Sequence, residues 1–140
     1  MSRTYALYLA AVLAFNAHAD TLHLQLHGLS LHSAGTWNER NPGLGVRYQH
    51  TPDLGVQAGF YKNSMSTQTV YAVAQWTPLH VGPLSAGAFA GVATRYTLPV
   101  VVGALATVQG KRWSATVRAV PKTRHNPAVA TFEIGYRYVP

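Results

Sequence analysis

Cysteine is absent from the 140 residues, which excludes both a disulfide framework and a thiolate metal site. Acidic residues are scarce: Asp20, Glu39, Asp53 and Glu133 face eleven Lys and Arg, for a net charge of +7. No long hydrophobic run is present. The apolar stretch "ALYLAAVLAF" (6–15) is too short to cross a bilayer as a helix. From residue 20 onward no convincing helical period of 3.6 is found either. The seven histidines show no metal-ligand spacing. His23 and His27 share a strand face but lie too far apart for one zinc ion. Neither a metal nor another cofactor is expected.

What is there begins with an export signature. Arg3 supplies a positive start, residues 6–15 an apolar stretch, and "AHA" (17–19) a small-x-small cleavage site. Residues 1–19 are therefore expected to be a removed signal peptide, leaving 20–140 as one domain. Loss of Arg3 lowers the charge to +6, from ten basic minus four acidic residues. A basic excess points to an anionic partner. Export, and the lack of any charge run, make nucleic acid the poorer choice and phosphorylated lipid the better one.

The rest alternates with period two. In "TLHLQLHGLSLHS" (21–33), Leu22, Leu24 and Leu26 take one face and His23, Gln25 and His27 the other. At Gly28 the phase slips, and Leu29 and Leu31 inherit the apolar face, which marks a β-bulge. Seven more segments follow, near 43–50, 54–62, 67–77, 82–94, 99–109, 112–120 and 128–138. Eight segments of about ten residues, apolar on one face and polar on the other, predict an all-β chain. The expected fold is an eight-stranded antiparallel transmembrane β-barrel, closed so that lipid meets no unpaired backbone. A soluble sandwich or lipocalin-like barrel with an apolar core is the alternative. Tyr48, Tyr61, Trp76, Tyr96, Trp113, Tyr136 and Tyr138 lie near strand ends and suit interfacial girdles. Arg47, Gln57, Arg118, Glu133 and Arg137 would form a polar interior, with Glu133 paired to Arg118 or Arg137. Gly45, Gly55, Gly59, Gly87, Gly91 and Gly103 would leave interior room, or permit curvature.

Counting strands puts the connections near 34–42, 63–67, 95–99 and 121–127 at the extracellular end, and the tighter turns at the periplasmic end. His32, inward on the shifted phase, and the Asn63-Ser64 turn then share the outer rim. A histidine beside a serine is the minimum for activating a hydroxyl in acyl transfer. An ordinary hairpin tip explains Asn63-Ser64 equally well.

Read together, "LSLHSAGTWNER", "GFYKNSMST", "GAFAGVATRYTLPVVVGALATV" and "AVPKTRHNPAVATFEIGYRY" resemble the outer-membrane lipid A palmitoyltransferases of the PagP type. The matching positions are His32, Asn38-Glu39-Arg40, Lys62-Asn63-Ser64, Leu98-Pro99 and Pro121, collinear along nearly the whole domain. The resemblance implies a barrel in the bacterial outer membrane whose interior receives one acyl chain, and transfer of a palmitoyl group from a phospholipid to lipid A. It implies a site of His32, Asn63 and Ser64, with Asn63 where the family has Asp, able to orient an imidazole but not to offset its charge. It also implies lateral lipid access at Pro99 and Pro121, which lack an N–H for the ladder. Arg40, Lys62, Arg95, Lys122 and Arg124 fall in the outer loops, where they would pair with headgroup phosphates. Phospholipid and lipopolysaccharide are the expected partners, with the chain a membrane-embedded monomer. The family's N-terminal amphipathic helix has no counterpart here, and the first loop is shorter. Lipid A deacylation, or a non-enzymatic structural or lipopolysaccharide-binding barrel, remain as other functions of the same pattern.

Overall fold

The computed structural model describes residues 21–139. The expected signal peptide and Asp20 lie outside the described residues. Eight strands follow in chain order: β1 (Thr21–His32), β2 (Arg40–Gln49), β3 (Leu54–Lys62), β4 (Gln68–Val81), β5 (Leu84–Ala93), β6 (Val100–Gln109), β7 (Trp113–Val120) and β8 (Val129–Arg137). Each pairs antiparallel with its neighbour, and β8 returns to β1, closing the barrel.

Period-two alternation sets which side each residue faces, and here it is inverted relative to a water-soluble protein. Leu22, Leu24, Leu26, Leu29 and Leu31 all lie on the outer surface, 43–56% exposed. Buried inside are His23, Gln25, Arg47, Gln57, Thr107, Thr116, Arg118 and Glu133. An apolar belt around a polar interior is unstable in water and suits a bilayer, which removes the soluble alternative. Cores of soluble barrels are apolar inside. This one has only a small apolar cluster, built on Tyr71, Val73, Phe89, Ala93 and Leu105.

The phase slip at Gly28 is real. Both ladders of β1 shift register between His27 and Leu29, so the bulge lets the leucines stay outward on both sides of it. β4 runs on to Val81, beyond the expected 67–77, through a second register shift between Trp76 and Leu79. Pro78 sits in that shift, where its missing N–H costs no ladder bond.

Two expectations are corrected. Tyr61 and Tyr96 do not belong to a girdle: they turn inward, and their hydroxyls hydrogen-bond at 2.9 Å. Tyr48, Trp76, Trp113, Tyr136 and Tyr138 do lie near the lipid-facing surface, all toward the end with the 50–53, 82–83 and 110–112 turns. The named aromatics thus make one girdle, not two. The glycines are the second correction. Gly45, Gly55, Gly59, Gly87, Gly91 and Gly103 do not line the interior cavity. A Cβ on Gly59 would strike the Leu44 carbonyl of β2, and one on Gly103 the Ala119 carbonyl of β7. Close approach of the neighbouring strand demands Gly59, Gly87, Gly91 and Gly103, while Gly45 and Gly55 make way for the side chains of Tyr71 and Gln49. Gly59→Ala is expected to destabilise the barrel by about 1–3 kcal/mol, the usual cost of overpacking, measurable as a lower urea midpoint in micelles.

Candidate functional site at the loop end

The connections 33–39, 63–67, 94–99 and 121–128 gather at one end of the barrel, and the tighter turns at the other. That asymmetry is the one outer-membrane barrels have. At the loop end His32, the last residue of β1, meets the β3–β4 connection. Ser64 Oγ lies 2.8 Å from His32 Nε2, close enough for the hydroxyl to donate to the imidazole. The two residues are 32 positions apart, and the antiparallel run β1–β2–β3 brings both to the same end of the barrel.

Asn63 does a different job from the one the resemblance implies. Its side chain is fully buried and spent on its own turn. Oδ1 accepts from the backbone N–H groups of Met65 (2.9 Å) and Thr67 (3.0 Å). Nδ2 donates to the hydroxyls of Thr67 (2.8 Å) and Thr69 (3.0 Å). Asn63 therefore holds the turn that presents Ser64 and does not orient His32. His32 Nδ1 is buried without a hydrogen-bond partner. The reason is chemical. A side-chain amide beside free N–H groups forms an Asx-type turn, and this turn supplies two donors at once.

The first loop is stitched to that turn. Asn38 donates its backbone N–H to the Ser64 carbonyl at 3.0 Å. Asn41 Nδ2 donates to the Lys62 carbonyl at 2.9 Å, while its Oδ1 accepts from Ser30 Oγ at 2.5 Å. Asn41 and Trp37, which stacks on the His32 ring, are site neighbours that sequence reasoning did not single out. Asn41's signal was available, since it follows the Asn-Glu-Arg stretch directly.

Beneath the pair lies a cavity of about 430 Å³, within the usual ~300–1,000 Å³ of small-molecule sites. His32, Ser64 and Met65 stand at its mouth, and Val73, Phe89, Ala93 and Val101 on its walls. The floor is a polar plug. Arg118 Nη2 donates to Glu133 Oε1 (3.2 Å), Gln57 Oε1 (3.0 Å) and Gln75 Oε1 (2.8 Å). Of the two partners expected for Glu133, Arg118 is the one that pairs. His27 joins it, with Nδ1 3.2 Å from Glu133 Oε2 and Nε2 2.6 Å from the Tyr71 hydroxyl. His23, another inward histidine of β1, pairs elsewhere, with Arg47 at 3.2 Å.

The barrel wall beside the cavity is incompletely paired. β6 is paired to β5 along its length, from Val92↔Val100 onward. Its ladder to β7 begins only at Ala104↔Ala119, so Val100–Gly103 pair on one side alone. Pro121 follows the end of β7, and both Pro121 and Pro99 line the cavity. The Pro99 carbonyl accepts from Ala93 N at 2.7 Å, so the β5–β6 seam stays shut. Both prolines adjoin that singly paired stretch. Arg40, Lys62, Arg95, Lys122 and Arg124 are exposed around the same rim, and none of them lines the cavity.

No family model matches the sequence, and no curated protein matches it. Solved structures do. The chain superposes on the designed transmembrane barrel TMB2.3 with a TM-score of 0.66 at 20% identity, over 86% of this chain and 95% of that one. The N-terminal β-barrel domain of Pseudomonas aeruginosa OprF gives 0.60 at 13% identity, over 84% and 97%. The fold is that of a transmembrane β-barrel. At such identities the likeness covers architecture alone. It leaves the His32–Ser64 pair, the cavity and the unpaired β6–β7 stretch as features of this chain.

Proposed function

We propose that the protein is an outer-membrane acyltransferase, which moves an acyl chain from a phospholipid to a hydroxyl of lipid A. The observation that carries this reading is the 2.8 Å contact between Ser64 Oγ and His32 Nε2 at the mouth of a largely apolar cavity. The stretch of β6 left unpaired with β7 gives that cavity a lateral route from the bilayer. The collinear motifs shared with the PagP-type palmitoyltransferases point the same way.

Ser64 Oγ attacks the donor's ester carbonyl while His32 Nε2 takes the hydroxyl proton. The ester C–O bond breaks, and the lysophospholipid leaves with that proton. A lipid A hydroxyl then attacks the acyl-serine, returning a proton through His32 to Ser64. The donor's chain occupies the cavity, entering between Pro99 and Pro121. Arg40, Lys62, Arg95, Lys122 and Arg124 hold headgroup phosphates, each as a charge-assisted contact.

A second reading, a lipid-binding barrel without turnover, is favoured by one observation. Asn63 is committed to its turn, and no carboxylate hydrogen-bonds His32 Nδ1. The test uses the purified protein in micelles with a phospholipid labelled in its acyl chain and lipid A as acceptor. Label appearing on lipid A, with lysophospholipid formed in equal amount, is expected. Fatty acid released from lipid A would establish a deacylase instead. Bound but unchanged phospholipid would establish the second reading.

A further inference from the structure

The His32 ring is held in an unusual way. Nε2 faces Ser64, while Nδ1 is buried and unpartnered. In a Ser-His-acid site a carboxylate at Nδ1 fixes the ring plane and offsets the imidazolium charge. Asn63 is turned away, and the nearby Glu39 makes no hydrogen bond to the ring: its carboxylate approaches the backbone N–H of His32, at 3.4 Å, and reaches the imidazole only as a through-space charge. What meets the ring is the indole of Trp37, stacked on it with centroids 5.5 Å apart and planes 22° from parallel.

The indole is itself pinned. Trp37 Nε1 donates to the Ala34 carbonyl at 2.8 Å. Gly35 passes beneath it with φ at +86°, and a Cβ there would lie 2.7 Å from Nε1. Only glycine adopts that conformation at low cost and leaves that space. The stretch Ser33-Ala34-Gly35-Thr36-Trp37 is thus a turn that lays an aromatic plate on the imidazole.

We infer that Trp37 is a positioning residue of the His32–Ser64 pair, holding the imidazole plane and stabilising the imidazolium where a carboxylate would otherwise stand. The inference rests on the acyl-transfer reading of that pair. Two properties of the indole suit it for this. Its face restricts ring rotation by stacking, and its π cloud attracts a cation as the serine proton arrives. Tryptophan is the strongest of the aromatic side chains in the second respect. The departure from Asp at position 63 then need not disable the site, because the charge is met from the ring's face and not its edge.

The test is the rate at which a fluorophosphonate labels Ser64, a reaction that does not require lipid, in the full protein folded in micelles. Trp37→Leu keeps an apolar side chain and loses the plate; Trp37→Phe keeps a plate and loses the Nε1 anchor. Labelling is expected to slow roughly three- to tenfold in Trp37→Leu, the range that aromatic pairing sets, and by less than about twofold in Trp37→Phe. Equal rates in Trp37→Leu and the parent, or equal losses in both variants, would overturn the inference. NMR of the His32 ring protons gives a second readout that needs no activity. Their upfield ring-current shift is expected in the parent and Trp37→Phe and is lost in Trp37→Leu. A parent whose Ser64 is never labelled sinks the acyl-transfer reading instead, and the inference with it. A His32 spectrum indifferent to Trp37→Leu sinks the inference alone.

Discussion

Ser64→Ala is expected to lower acyl transfer by on the order of 10³-fold or more and to leave the barrel folded. Ser64 sits in a connection, half-buried, and its hydroxyl contacts only His32 Nε2 among the described hydrogen bonds. Removing one oxygen there leaves intact the bonds through which Asn63 holds the turn. His32→Ala should fall by a similar factor, because nucleophile and base act as a unit. The double variant should be little worse than either alone. Initial rates of labelled acyl transfer, with heat-modifiable gel mobility as the folding control, check all three. Additive losses would mean that the two side chains act separately.

The second large effect concerns the plug. Glu133→Ala leaves the buried guanidinium of Arg118 without its ion-pair partner, and deprives His27 and Gln57 of an acceptor. Breaking a buried pair on one side costs about 3–5 kcal/mol, so the barrel should lose a large part of its stability. Glu133→Gln keeps the shape and one carbonyl acceptor and is expected to lose less. Pairing the change with Arg118→Met, which removes the stranded charge, should recover most of the loss. Equilibrium unfolding in urea across this double-mutant cycle measures the coupling. A coupling near zero would mean that the plug is held by packing alone.

The barrel was legible because a period-two pattern fixes both faces of a strand, and a one-residue slip reverses them. Leu22, Leu24 and Leu26 declared the outward face, and Gly28 declared the bulge that returned Leu29 and Leu31 to it. Tyr61 could have been placed by the same rule. It shares the parity of Gln57 and Gly59, and so faces inward, yet its position near a strand end suggested a girdle. Tyr96 lies in a connection, where parity does not apply. The His27–Glu133 contact depends on register. The two residues are directly opposite in the β1–β8 ladder, and the sequence does not state the register in which β8 meets β1.

The rim was half legible. His32 could be counted to the same end as Ser64, and their 2.8 Å contact follows from a narrow barrel. The fate of Asn63 could not be counted. Whether a side-chain amide reaches back into its own turn or out to a neighbour depends on local dihedrals, here with Ser66 at φ +62°. Trp37 was hidden for the same reason: a left-handed Gly35 decides where the indole lands.

Mass spectrometry of lipid A from cells carrying the protein in an outer membrane, beside a Ser64→Ala control, tests the central claim most directly. A gain of one acyl chain that disappears in Ser64→Ala is the predicted result. An unchanged lipid A profile, with the parent protein shown folded in that membrane, would contradict it.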